Sequence, residues 1–144
     1  MNTRTYLRSR VDARPLAAVL AVGDLVALTA FVVAGTIQHG ERPFANPEVV
    51  VGALAPFLLA WALLSVVGGL YTADAVISVR RALSWTAPVW VFAVLLGQGL
   101  RATSLFPGGT SAPFVVVTLV VGGSLVVGWR VLATVLGGRE NPAE

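Results

Sequence analysis

The sequence predicts an all-α membrane protein, a single domain of four transmembrane helices bundled together and joined by short loops. Three observations predict it. Of the 144 residues, 56% are hydrophobic and only 12% are charged, whereas a soluble domain carries about 25% charged residues. Seven acids and ten bases cannot coat a soluble core of this size. The apolar residues also gather into four runs, each near the roughly 20 residues that cross a hydrocarbon core of about 30 Å. Finally, the runs are continuous and lack the alternation of transmembrane barrel strands. The absence of cysteine excludes a disulfide scaffold and a thiolate metal centre. A mean hydropathy of +0.82 excludes disorder.

The four spans are expected at residues 15–38, 49–70, 82–100 and 113–136. Pro15 stands where a helix begins without losing a hydrogen bond. Pro43, Asn46 and Pro47 break the first connection. Asp74 and Ser78 punctuate the second, and Pro107-Gly108-Gly109 breaks the third. Pro113 opens the fourth span and Gly137-Gly138 closes it. Pro56 and Pro88 fall inside spans and are read as packing kinks. Arg4, Arg8, Arg10 and Arg14 resemble the basic start of a signal peptide. The apolar run that follows is too long for one and no A-x-A site succeeds it, so a retained helix is expected.

All ten basic residues are arginine, and their placement reads as topology rather than nucleic-acid binding. With the N-terminus inside, Arg4, Arg8, Arg10, Arg14, Arg80, Arg81 and Arg139 are cytoplasmic, and Arg42 and Arg101 lie outside. Both termini are therefore expected on the cytoplasmic side of a cell membrane. Such a bias argues against small four-helix transporters that pair as antiparallel dimers. Tyr71 and Trp85 then fall at the inner interface.

Asp24 is the residue most out of place in lipid. It lies about 13 Å along its helix from Pro15. A charged side chain at such depth costs roughly 2.5–3.5 kcal/mol on insertion scales. Arg130 lies about 9 Å from the same surface on the fourth span, within reach of the acid. An Asp24–Arg130 ion pair joining the first and last helices is expected, either as a tie that sets helix register or as a proton or cation site; the alternative is no pair, with Arg130 snorkelling to the interface and Asp24 neutral. Neighbouring Trp129 is read as an interface anchor, and Trp61 and Trp90 as core packing.

A second polar group gathers at the outer side: Gln38, His39 and Glu41 after the first span, with Gln98 and Arg101 ending the third. It reads as a hydrated helix-end network, or as a proton entry or small-anion site that histidine would make pH-sensitive. Ala30-x-x-x-Ala34, Ser65-x-x-x-Gly69, Ala93-x-x-x-Gly97 and Ser124-x-x-x-Gly128 each put two small residues on one helix face, where backbones can approach. A faint repeat relates the two hairpins through Ala55-Pro56-Phe57 and Ala112-Pro113-Phe114.

No nucleophile–histidine–acid set, phosphate loop or H-E-x-x-H motif is present in the sequence. The chain is expected to be no enzyme and to hold no cofactor or metal. Its expected partners are the lipid bilayer and a second copy or another membrane protein. Two roles stand side by side: a structural or interaction protein, and a small proton- or ion-coupled transporter or channel subunit using Asp24 and the outer group.

Several residues together carry a family likeness. They are Gly23-Asp24, Phe31, Gly35 and His39, then Pro56-Phe57 and Trp61, then Trp90 and Arg101, then Phe114-Val115-Val116-Val117 and Gly128-Trp129-Arg130. In this order they resemble DUF3054, a family of uncharacterised prokaryotic integral membrane proteins. Thr36 departs from the basic residue expected after Gly35. The resemblance implies a four-helix membrane protein and assigns no activity.

The arginine distribution sets a direct test. A single cysteine placed at Ala45, in the first connection, should react with an impermeant thiol reagent in intact cells. Protection in intact cells with labelling after lysis would invert the orientation.

Overall fold

The computed structural model describes residue 11 and residues 15–137. Four long helices make up the fold: α1 (Pro15–Gln38), α2 (Pro47–Val67), α3 (Val79–Arg101) and α4 (Ala112–Gly137). A 3₁₀ turn at Ala73–Val76 lies between α2 and α3. Apart from one backbone bridge between Val11 and Tyr71, no β pairing occurs among the described residues. Each of the four helices is long and apolar enough to cross a membrane. Arg4, Arg8, Arg10, Arg14, Arg139 and Gly138 lie outside the described residues.

Each helix packs on its neighbour in sequence, and α1 against α4 closes the ring. The inward stripe of α3 runs Ala82, Thr86, Trp90, Ala93, Val94, Gly97, Gln98 and Arg101. That is the spacing by which a helix keeps one face inward. Outside it, Val22, Leu59, Phe92, Val120 and other large apolar residues are exposed, as a lipid-facing surface requires. The main core joins Leu28, Trp61, Leu70, Trp90, Val94 and Val126. Its centre is an edge-to-face pair, Trp61 and Trp90, with ring centroids 5.8 Å apart.

Helix ends follow local chemistry and correct three of the expected spans. α2 stops at Val67 rather than residue 70. Gly69 takes a left-handed φ of +71°. Its N–H donates to the carbonyl of Val66, and the N–H of Leu70 donates to that of Ser65. This is a Schellman cap, in which glycine at the left-handed position satisfies the last carbonyls of the helix. α3 begins at Val79 rather than residue 82, because the Ser78 hydroxyl caps the N–H of Arg81 at 3.2 Å. α4 exceeds its expected limits by one residue at each end.

α2 and α3 run on through Pro56 and Pro88. A change of helical geometry falls in α4, where Thr118–Gly122 forms a π turn. Trp90 meets that place: its Nε1 donates to the Leu119 carbonyl, within the turn, at 3.2 Å. The Trp90 ring also lies against Gly122 and Gly123, where added Cβ atoms would sit 2.7 and 2.8 Å from it.

Of the four small-residue faces, Ser65/Gly69 and Ala93/Gly97 point into the bundle, while Ala30/Ala34 and Ser124/Gly128 point outward. The last two are exposed, because the inward stripe of each helix passes through other positions.

Gly97 and Gly99 provide a matched pair on α3. A Cβ at Gly97 would lie 2.6 Å from the Phe57 ring, and one at Gly99 would meet nothing within 4 Å. Gly97→Ala should destabilise by about 1–3 kcal/mol through overpacking. Gly99→Ala should be neutral or slightly stabilising. Thermal unfolding of both variants in detergent checks this; equal behaviour would refute the close packing of α2 on α3.

Candidate functional site

Asp24 and Arg130 project from the inward stripes of α1 and α4. They are 1% and 0% exposed. The preceding residue in each helix explains the approach. Gly23 leaves room for the Trp129 ring, which would overlap any Cβ at that position. Trp129 is thereby packed on α1, and its Nε1 is buried without a hydrogen-bond partner.

The pair is bidentate. Arg130 Nε donates to Asp24 Oδ1 at 3.0 Å and Nη2 donates to Oδ2 at 2.5 Å. Planar guanidinium and planar carboxylate match in this geometry. Two more donors reach Oδ2: Trp61 Nε1 at 3.1 Å and the Tyr71 hydroxyl at 2.8 Å. Arg130 Nη1 donates to the Leu70 carbonyl at 2.8 Å, which the Schellman cap of α2 turns inward. Both the Tyr71 and Trp61 rings lie beside the guanidinium, at 5.1 and 5.5 Å from Cζ to ring centroid. Four chain segments thus converge on one carboxylate–guanidinium pair.

Two expectations are corrected here. The Tyr71 ring does not settle outward at a lipid surface; it is buried and turned onto Asp24. Trp61 does more than fill core space, since its N–H satisfies the buried acid. The sequence carried one signal for the first correction. Val66-Val67-Gly68-Gly69-Leu70-Tyr71 is the pattern of a glycine cap followed by an apolar residue, which drives the chain back towards the core. Trp85, by contrast, is half-buried with the Arg81 guanidinium 4.8 Å from its ring centroid.

The outer group is divided. Gln98 and Arg101 are buried; Gln38, His39 and Glu41 are exposed. No hydrogen bond or ion pair among the described residues joins the two sets. Gln98 is held by Thr110, whose hydroxyl donates to Oε1 at 2.7 Å, and it donates through Nε2 to Thr118 Oγ1 at 3.4 Å. The Arg101 Nε donates to the Gly109 carbonyl at 3.1 Å. Arg101, Gln38, His39 and Glu41 all line a cavity of about 600 Å³, and Gln98 does not. A shared network is therefore replaced by residues that border one cavity without bonding to one another across the two sets. Among the described residues no three His, Asp or Glu side chains converge as a metal site would need.

Residues 21–133 match the family model described as a protein of unknown function, DUF3054. The chain belongs to the DUF3054 family. No curated protein and no solved structure matches it. In this DUF3054 protein the matched stretch begins just before Asp24 and ends just after Arg130. The ion pair therefore joins the two ends of the family region.

Tyr71 lies between the spans and reports on the site. Burial, and after it the Asp24 carboxylate, raises its pKa from 10 to about 12, against smaller opposing effects of Ser65 and Arg130. The phenol is held neutral in the folded state, so this contribution to stability is complete below pH 10. It is lost as pH rises towards about 12. Ultraviolet titration of a Tyr6→Phe variant, which leaves Tyr71 as the one tyrosine, should show no phenolate near pH 10 until the protein unfolds. Ordinary ionisation at pH 10 in folded protein would refute the buried Tyr71–Asp24 bond.

Proposed function

We propose that this protein is a non-enzymatic structural or interaction component of a cell membrane, crossing it four times with both termini cytoplasmic. In this reading Asp24 and Arg130 form a tie that sets the register of α1 against α4. One observation carries it: both oxygens of Asp24 accept hydrogen bonds, four in all, from three side chains. A carboxylate bonded through both oxygens and paired with a guanidinium is stabilised in place without an incoming cation. The arrangement of Leu70, Trp61 and Tyr71 around the pair supports the same role.

A transporter using Asp24 needs water to reach it. The cavity beside His39 is walled by Phe31, Val32 and Phe57, and neither Asp24 nor Arg130 lines it. This favours the tie over a proton or cation pathway. The orientation rests on the arginine distribution, with Arg80 and Arg81 at the end of the bundle assigned to the cytoplasm.

Thermal unfolding in detergent of Asp24→Asn, Arg130→Gln and the double variant tests the tie. Each single change should destabilise by about 3–5 kcal/mol, because it leaves a buried charge unpaired. The double change should cost clearly less than the sum. Neutral, uncoupled single variants, together with proton flux in liposomes that Asp24→Asn abolishes, would replace the tie with transport.

A further inference from the structure

Arg101 and Arg130 are both buried arginines on inward stripes, yet their charges are treated differently. Arg130 has Asp24. Arg101 is 8% exposed, and no carboxylate among the described residues pairs with it. Of its five N–H donors one is used, from Nε to Gly109. Nη1 is fully buried without a partner. The Phe114 ring lies 5.1 Å from Cζ, which steadies a cation but does not neutralise it. A guanidinium stays protonated in such surroundings, and an unmatched buried cation is costly. The geometry asks for an anion.

The surroundings describe what kind. Arg101 lines the cavity of about 600 Å³, a size typical of small-molecule sites. Apart from the rim, the walls are apolar and include Phe31, Val32, Phe57, Phe114 and Val117. A small hydrophilic anion would leave those walls against water. A ligand with an anionic head and an apolar body would cover them. The loop is shaped to keep the arginine there. Gly108, with φ +103°, has no room for a Cβ beside Arg101 Nη2, so the loop backbone lies against one edge of the guanidinium and fixes its position. Glu41 also lines the cavity. It is exposed and forms no ion pair with Arg101.

We infer that this cavity is a binding site for an anionic amphiphile, whose carboxylate or phosphate head is held by Arg101 and whose acyl chain lies against Phe31, Phe57 and Phe114. The site deepens the reading of the protein as a binding component of the membrane and rests on that reading. Its test uses residues other than Asp24 and Arg130, so the two can fail separately.

The test uses the full chain, purified and delipidated in dodecyl maltoside. Decanoate, dioleoylphosphatidylglycerol, dioleoylphosphatidylcholine and inorganic phosphate are titrated, with native mass spectrometry and thermal shift as readouts. One equivalent of decanoate or phosphatidylglycerol should bind and raise Tm; which of the two saturates distinguishes a free acyl acid from a bilayer lipid. Arg101→Gln should weaken that binding about tenfold or more with helical content retained. Phosphatidylcholine binding as well as phosphatidylglycerol, binding of phosphate alone, or undiminished binding by Arg101→Gln would each overturn the inference. So would a Glu41→Gln variant as destabilised as Arg101→Gln in a protein that binds no probe, since Glu41 would then be the counter-ion. Should Arg101→Gln fail to fold, Ala53→Trp narrows the cavity and leaves the arginine in place. Loss of binding in that variant supports the site, and retained binding overturns it.

Discussion

A charge pair inside a membrane bundle holds helices together only if its hydrogen-bonding capacity is met, because each unmet donor or acceptor is costly in a medium without water. The Asp24–Arg130 pair has a partner on every nitrogen and oxygen atom of its two charged groups, and it finds them by drawing on much of the fold. Trp61 of α2, Tyr71 and the Leu70 carbonyl of the following segment, and the two charged residues of α1 and α4 all meet there. Remove that requirement and little explains why α2 ends in a glycine cap, why Tyr71 turns inward, or why Gly23 faces Trp129. Lipid offers no apolar driving force between helices, so such polar convergence, with close packing, has to supply the register.

Packing around the pair follows the same economy of backbone irregularity. Just beyond the Schellman cap of α2 the Leu70 carbonyl accepts from Arg130. Within the π turn of α4 the Leu119 carbonyl accepts from Trp90. In both places a departure from α geometry is matched by a side chain from a different helix. Trp61 and Trp90, touching edge to face, connect the two arrangements into one core. At the other end of the bundle the balance differs. Arg101 has a carbonyl and an aromatic face but no acid, and beside it lies a cavity rather than a packed core. The molecule thus has one buried arginine whose charge is closed off and one whose charge is left open.

Much of the architecture was legible along the chain. The four spans and the positions of Asp24 and Arg130 at matching depth follow from hydropathy and from the rise of a helix. The family likeness and the matched family region agree. Three things were not legible. The π turn has no sequence mark, because Thr118–Gly122 reads as ordinary apolar helix. The roles of Trp61 and Tyr71 depend on rotation of α2 and of the turn after it, and nearly uniform hydrophobicity gives those segments no polar face from which rotation could be read. The outer polar residues were grouped by depth alone, and depth does not say whether side chains touch across a gap.

By itself the sequence determined how many long apolar helices there are, where each lies to within a few residues, where polar breaks fall and which two ionisable residues lie deep in the spans. Those properties are sums along the chain, and hydropathy and helix geometry suffice to compute them. Only the tertiary structure decided which polar groups meet: that Tyr71 and Trp61 complete the acid, that the two inward small-residue faces are those of α2 and α3, and that Arg101 faces a cavity instead of Glu41. In an apolar helix every face is equally soluble in lipid. The faces that turn inward are therefore selected by close packing and by the few polar partners that must find one another, and both exist only once all four helices are together.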